Sequence, residues 1–121
     1  MKDQRRYATR HLIKIFNRFQ FRAPVLDLGC GRGGVLTALA ANTVGLYYGI
    51  DTNWKSIKIA IERDKFVKAN GFIWFSVYSA TEPYVTNAET ILMNDVAEHV
   101  SFDKMLTANP ARHVYHAVWQ N

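Results

Sequence analysis

The sequence has one cysteine, Cys30, only three prolines and no long apolar run. A single thiol cannot form an intrachain disulfide, which excludes the small disulfide-stapled secreted folds. No segment approaches the ~20 apolar residues that a membrane-spanning helix needs, and the N-terminus lacks the apolar stretch of a signal peptide. We therefore expect a cytoplasmic protein that has no membrane partner.

Positive charge is concentrated at one end of the chain, whose net charge is +5. Residues 1–22 contain seven Lys or Arg and one acid, whereas the remaining residues contain eight Lys or Arg and nine acids. Arg6, Arg10 and Lys14 belong to a basic stripe that recurs every four residues of a predicted helix over 5–20. The stripe fits an acidic partner, such as nucleic acid or a phosphorylated substrate, and it also fits a solvated helix face.

The length predicts one domain over residues 1–121, with a basic N-terminal helix (1–23) followed by a core (24–121). Turn residues divide the core into alternating strands, at 25–28, 44–50, 72–78, 90–94 and 113–119, and helices, at 35–40, 53–70 and 102–108. Gly71 is predicted to cap the second of these helices. The strands are almost continuously apolar, which is typical of a parallel sheet covered on both faces. We predict an α/β, doubly wound, Rossmann-like fold of about five strands, with its ligand at the carboxyl ends of the strands.

A glycine cluster, Gly29, Gly31, Gly33 and Gly34, separates the first strand from the first core helix. Glycines at this point let the backbone turn tightly and approach a ligand closely. Asp51 ends the next strand, where a carboxylate can accept hydrogen bonds from both ribose hydroxyls of a nucleoside. Asp27 precedes the loop and would repel a pyrophosphate, but it suits a cationic ligand. The alternatives are a dinucleotide site and a glycine turn that binds nothing.

The segments Val25–Gly33, Tyr48–Asp51 and 90–94 resemble those of class I S-adenosylmethionine (SAM) dependent methyltransferases. The resemblance implies that SAM is the cofactor and that Gly29 and Gly31 lie near its amino-acid part. It further implies that Asp51 binds the ribose, that Thr52 and Asn53 lie near the adenosine, and that Ser79 and Ala80 lie near the adenine. The predicted cofactor site also includes Asp27, Cys30, Gly33 and Asn94. We interpret Cys30 as a packing residue, since no general base is placed beside its thiol.

The methyl acceptor is expected beside residues 94–102, where Glu98 and His99 are the candidate catalytic residues. The leading interpretation is RNA cap guanine-N7 methylation, because four parts of the chain resemble cap methyltransferases. They are the basic N-terminal helix (residues 1–23, which we call the basic arm), residues 31–36, residues 47–51 and His99. Residues 95–100 are also similar to the acceptor-side motif of quinone-biosynthesis methyltransferases, which would imply a small-molecule acceptor. A third interpretation uses Asp95, Glu98 and His99 as ligands of a divalent ion for RNA 2′-O-methylation, whereas the leading interpretation needs no metal. Glu98 and His99 also fit a helix-start acid beside a surface histidine.

The class I fold normally ends in an antiparallel hairpin, and no residues are left for one after the predicted fifth strand. We expect either a fragment or a shortened family member. Because an open sheet edge invites pairing with another chain, a shortened member would form a homodimer through that edge. A SAM-binding module without turnover is a further alternative.

Overall fold

The computed structural model describes residue 14 and residues 22–66, 70–84, 87–94 and 102–117. The elements, in chain order, are β1 (Val25–Leu28), α1 (Gly34–Asn42), β2 (Leu46–Asp51), α2 (Trp54–Asp64), β3 (Phe72–Val77), β4 (Thr90–Asn94), α3 (Phe102–Ala108) and β5 (His113–Ala117). The helix predicted over 5–20 lies outside the described residues, except for Lys14, which is helical and exposed.

The strands form one parallel sheet with the order β3-β2-β1-β4-β5. All four residues of the central strand β1 are buried. The direction of the strand order reverses between β1 and β4, which is the point where open α/β sheets bind ligands. The predicted Rossmann-like, doubly wound α/β fold is therefore confirmed.

Two apolar clusters cover the two faces of the sheet. On one face, α1 packs its buried side chains, such as Leu36 and Leu39, against Val25, Tyr47 and Leu92. On the other face, Met105 of α3 belongs to the cluster that contains the sheet residues Leu26, Leu28, Ile50, Ile91 and Met93. Helices on both faces leave the carboxyl ends of the strands as the edge where a ligand can approach.

Two predictions about the second core helix are wrong, namely where it ends and which residue caps it. It ends at Asp64 rather than near residue 70, because the Phe66 amide turns back to the carbonyl of Arg63 at 3.1 Å. Gly71 does not cap it, since both Asn70 and Gly71 donate their amides to the carbonyl of Ala40 in α1. A Cβ on Gly71 would come within 2.5 Å of the Tyr47 ring, so this glycine is needed for close packing.

The second strand begins at Leu46 rather than at residue 44. Gly45 precedes it with φ 147°, and a Cβ there would lie 2.4 Å from the Cβ of Ala23. The chain is thus bent at Gly45, where it passes the segment that leads into β1. In contrast, β4 and α3 have the predicted bounds.

Candidate functional site

The loop between β1 and α1 is built from glycines in left-handed conformations. Gly29, Gly31 and Gly33 have φ values of 77°, 56° and 78°. Residues with a Cβ rarely adopt this region, since the Cβ crowds the backbone carbonyls. The spacing of the glycines in the sequence therefore matches the places where the backbone turns.

Backbone hydrogen bonds fix this loop to the end of β2. The amides of Gly29 and Cys30 both donate to the carbonyl of Ile50 at 2.9 Å, and the amide of Gly33 donates to the carbonyl of Cys30 at 3.0 Å. The loop is thus a rigid turn whose position is set by the neighbouring strand.

Asp51 joins the loop to the start of α2. Its Oδ2 accepts the amide of Gly31 at 2.9 Å and its Oδ1 accepts the amide of Asn53 at 2.8 Å. Asn53 in turn caps α2, because its Oδ1 accepts the amides of Lys55 and Ser56. A carboxylate has about four lone-pair positions, so Asp51 keeps acceptor capacity for a ligand. Thr52 and Asn53 are exposed beside it.

Asp27 is a buried acid that lacks a full set of partners. It is 2% exposed, and its Oδ1 accepts no hydrogen bond from the described residues. Burial, together with the charge of Asp51, raises the pKa of Asp27 to about 8. An unpaired buried carboxylate is costly, and a cationic ligand with N–H donors would lower that cost.

The glycines of the loop differ in what surrounds them. A Cβ on Gly33 would meet the Phe75 ring at 2.5 Å and the Cβ of Ala60 at 3.2 Å, whereas a Cβ on Gly31 would meet nothing within 4 Å. Gly33 therefore permits close packing of the loop against β3 and α2. Gly31 borders open space, which is where a ligand could contact its backbone.

Cys30 is partly buried, and its thiol lies 3.7 Å from the carbonyl of Gly31. Burial, and secondarily the charges of Asp27 and Asp51, raises the pKa of the Cys30 thiol far above its ordinary value. Because the thiolate is the nucleophilic form, a protonated Cys30 fits a packing role.

The segment after β3 approaches the same edge of the sheet. The amide of Tyr78 donates to the carbonyl of Asp51 at 3.1 Å, which places Ser79 and Ala80 next along the chain. The Ser79 hydroxyl is hydrogen-bonded to that of Thr81 at 2.8 Å, and Ala80 is buried. The structure thus brings these two predicted residues to the same sheet edge as Asp51.

Sequence reasoning missed the residue that holds this segment in place. In the sequence, Asn109 directly precedes Pro110, which indicates only the end of a helix, yet its side chain is fully buried and hydrogen-bonded to the backbone of residues 80–84. A buried asparagine and a capping asparagine have the same sequence signature, so no local signal could have identified it.

Of the region where the methyl acceptor is expected, the structure describes β4 as far as its last residue, Asn94, and then residues from 102 onward. Asp95, Glu98 and His99 lie outside the described residues, so their roles stay predictions.

Within the described ranges, no group of three or more His, Cys, Asp or Glu could hold a metal ion, and none of the described helices is both long and apolar enough to cross a membrane.

Solved structures with the same fold include known methyltransferases. Magnesium protoporphyrin IX methyltransferase from Synechocystis PCC 6803, crystallised with bound SAH, superposes with a TM-score of 0.74 at 19% identity over 86% of this chain and 51% of that chain. The methyltransferase domain of bacterial CtHen1 gives a TM-score of 0.62 at 18% identity over 81% of this chain and 54% of that chain. The YcgJ protein from Bacillus subtilis gives 0.66 at 21% identity over 84% and 43%.

The chain spans about half the length of these structures. No curated protein matches its sequence. The family model described as "Methyltransferase domain" matches residues 22–117, which include the glycine loop and all five strands. The chain therefore belongs to the methyltransferase-domain family, with the fold of the class I SAM-dependent enzymes.

Proposed function

We propose that this chain binds SAM in the loop between β1 and α1 and takes part in methyl transfer to an RNA acceptor. The observation that carries the cofactor part is the buried, incompletely paired carboxylate of Asp27 beside the glycine turn. The family membership and the SAH-bound Synechocystis structure support the same cofactor.

The charges of the site favour SAM over a dinucleotide. Asp27 and Asp51 lie close enough for the charge of Asp51 to raise the pKa of Asp27. A pyrophosphate placed in this loop would face the Asp51 carboxylate and would oppose ionisation of Asp27, since like charges at short range in a low dielectric repel strongly. SAM instead carries an ammonium and a sulfonium, which favour the ionised form of Asp27 and are attracted by the Asp51 carboxylate.

Each described residue has a distinct task in this proposal. Asp27 would balance the ammonium group of SAM, while the remaining acceptor positions of Asp51 would bind the ribose hydroxyls. The open space at Gly31 allows the ligand to touch the loop backbone. SAM supplies a methyl group on an activated sulfonium, so the protein's main contribution to an in-line displacement is to position the two reactants.

The proposal that the methyl acceptor is RNA is supported by the sequence. Residues 1–22 carry a large excess of positive charge, and most protein contacts to phosphates come from Arg and Lys. The resemblance of residues 31–36 and 47–51 to cap methyltransferases makes guanine N7 of the RNA cap the first acceptor to test, with His99 beside the guanine and Glu98 next to it.

A small-molecule acceptor is the second candidate. It is favoured by the structural likeness to magnesium protoporphyrin IX methyltransferase and by the similarity of residues 95–100 to quinone-type enzymes. In that case the basic arm would be a solvated helix and would not bind RNA.

A transfer assay with tritiated SAM separates these candidates. The acceptors are capped RNA, the same RNA without its cap, and a small-molecule panel that includes a magnesium porphyrin and a quinone precursor. Turnover of capped RNA alone supports the first proposal, and turnover restricted to the panel replaces it with the second. Binding of SAM without transfer to any acceptor would leave only a binding module. Loss of RNA turnover with a chelator, restored by magnesium or manganese, would instead select the metal-assisted 2′-O reaction.

Two variants test the acceptor side. His99→Ala should lower turnover while SAM affinity stays unchanged. Replacing Arg6, Arg10 and Lys14 with alanine should reduce the slope of RNA affinity against salt concentration, because each phosphate contact adds to that slope. Removing three exposed charges from α2, at Lys55, Lys58 and Arg63, is the matched control and should change the slope less. Equal effects of the two triple variants would contradict an RNA role specific to the arm.

A further inference from the structure

Asn109 connects the end of α3 to the segment that follows β3. Its side chain is fully buried, and all of its polar atoms are used. The amide Nδ2 donates to the carbonyls of Glu82 at 2.9 Å and Ala80 at 3.3 Å, and Oδ1 accepts the amide of Tyr84 at 2.8 Å. Such a fully satisfied buried amide fixes the groups around it in one arrangement.

Both partners of this connection are themselves anchored. The backbone amide of Asn109 donates to the carbonyl of Met105 at 2.9 Å, which fixes Asn109 to α3. At the other end, the segment begins with the hydrogen bond from Tyr78 to the carbonyl of Asp51, and the hydroxyls of Tyr84 and Ser76 are 2.7 Å apart. Residues 79–84, which we name the β3 loop, are thus held between β2, β3 and α3.

The β3 loop contains the residues expected at the adenine end of the proposed cofactor site. Ser79 and Ala80 are the residues expected beside the adenine, and Asn109 bonds directly to the carbonyl of Ala80. Within the β3 loop, the Thr81 amide donates to the Ser79 hydroxyl, and the hydroxyls of Ser79 and Thr81 are hydrogen-bonded to each other, so the loop contains polar groups beside Ala80. The polar groups of the β3 loop can discriminate between bases only if they keep fixed positions relative to the ligand.

We infer that Asn109 is a positioning residue that gives the cofactor site its preference for adenine, by fixing the β3 loop against α3. The inference rests on the proposed function, because it presupposes that the adenosyl end of SAM lies against this loop. Asn109 need not touch the ligand, and it acts through the backbone of Ala80 and Glu82.

The test compares two ligands that differ only at the base. SAH carries adenine, and S-inosylhomocysteine carries hypoxanthine, in which a carbonyl replaces the N6 amine and N1 is an N–H donor instead of an acceptor. Their dissociation constants are measured by calorimetry for the wild type, for Asn109→Ala and for Asn70→Ala. Asn70 is the matched control, since it is exposed and its side chain donates one hydrogen bond to the carbonyl of Ala41 at 2.9 Å.

The wild type and Asn70→Ala should prefer SAH by about tenfold or more, which is the scale of discrimination that a lost polar contact produces. In Asn109→Ala the preference should fall to about twofold, because the loop is no longer fixed. A general loss of structure would weaken both ligands equally and leave their ratio unchanged, so an unchanged ratio overturns the inference. A wild type that binds both ligands equally well also overturns it.

The outcomes keep this inference separate from the proposed function. A wild type that binds neither ligand contradicts the SAM site itself, whereas SAH binding with an unchanged ratio in Asn109→Ala contradicts only the role of Asn109. If Asn109→Ala does not fold, the same titrations are made with Asn109→Asp, which has the same shape and keeps an acceptor for the Tyr84 amide but lacks the Nδ2 donor to Ala80 and Glu82. Its preference for SAH should also fall, and a preference equal to that of the wild type would overturn the inference.

Discussion

The carboxylate of Asp51 accepts the backbone amide of Gly31 at 2.9 Å, and this bond joins the end of β2 to the glycine loop. The second oxygen of Asp51 accepts the amide of Asn53. One side chain therefore holds both the glycine loop and the turn that begins α2. It is also the predicted ribose acceptor, so we expect structure and binding to depend on the same carboxylate.

Replacement of Asp51 with alanine should weaken SAM binding by about 1.5–3 kcal/mol, the scale of hydrogen bonds to a charged group. The measurement is calorimetric titration with SAM, with the free energy of unfolding measured in parallel because the Gly31 and Asn53 amides lose their acceptor. Asp103→Ala removes an exposed acid from α3 and should leave affinity unchanged. SAM affinity in Asp51→Ala equal to that of the wild type would contradict the ribose assignment.

The buried position of Asp27 predicts an unusual pH dependence of stability. Its pKa is about 8 in the folded chain, against an ordinary value of 3.8. Between those two pH values the folded state binds more protons than the unfolded state, so the free energy of unfolding should fall as the pH rises from about 4 to about 8. Asp27→Asn removes this contribution, so its free energy of unfolding should exceed that of the wild type by a margin that grows as the pH rises from about 4 to 8.5. Urea unfolding of both proteins at several pH values tests this, and parallel pH profiles would contradict it.

The same carboxyl group should couple SAM binding to proton release. At pH 7 Asp27 is mostly protonated in the free protein, because its pKa is about 8. A bound ammonium favours the ionised carboxylate, so binding should release a large part of one proton. Titrations in phosphate and in Tris, whose ionisation enthalpies differ, measure the number of protons released. Asp27→Asn should release none, and equal enthalpies for the wild type in both buffers would argue against the assigned contact.

Two neighbouring glycines allow a matched test of the loop. Gly33→Ala should lower the free energy of unfolding by about 2–4 kcal/mol, since φ is 78° and the new Cβ would lie 2.5 Å from the Phe75 ring. Gly34→Ala places its Cβ in open space at the first residue of α1 and should be neutral or stabilising by up to about 1 kcal/mol. Denaturant unfolding measures both, and equal effects would show that the loop is not closely packed against β3.

The strands and the two carboxylates were predictable because their signals are local. A continuous apolar run predicts a buried parallel strand, and the acids and glycines of the loop stand at fixed distances along the chain from the strand ends. The bounds of β4 and α3 were predicted correctly for the same reason, as turn residues lie directly beside them.

The errors concern contacts between residues that are distant in sequence. Gly71 has the position of a helix cap in the sequence, but it is needed because the Tyr47 ring lies against it. Asn109 has the position of a helix stop, but its side chain reaches residues more than twenty positions earlier. Neither partner can be identified until the sheet order and the crossovers are known, because only the fold brings them together.

Calorimetric titration of the wild-type chain with SAM, and separately with NAD, tests directly whether the glycine loop binds a sulfonium nucleoside. We predict saturable binding of SAM at one site per chain and no binding of NAD. Failure to bind SAM, or binding of NAD in its place, would contradict the assignment of Asp27, the glycine loop and Asp51 as a site for a cationic sulfonium nucleoside.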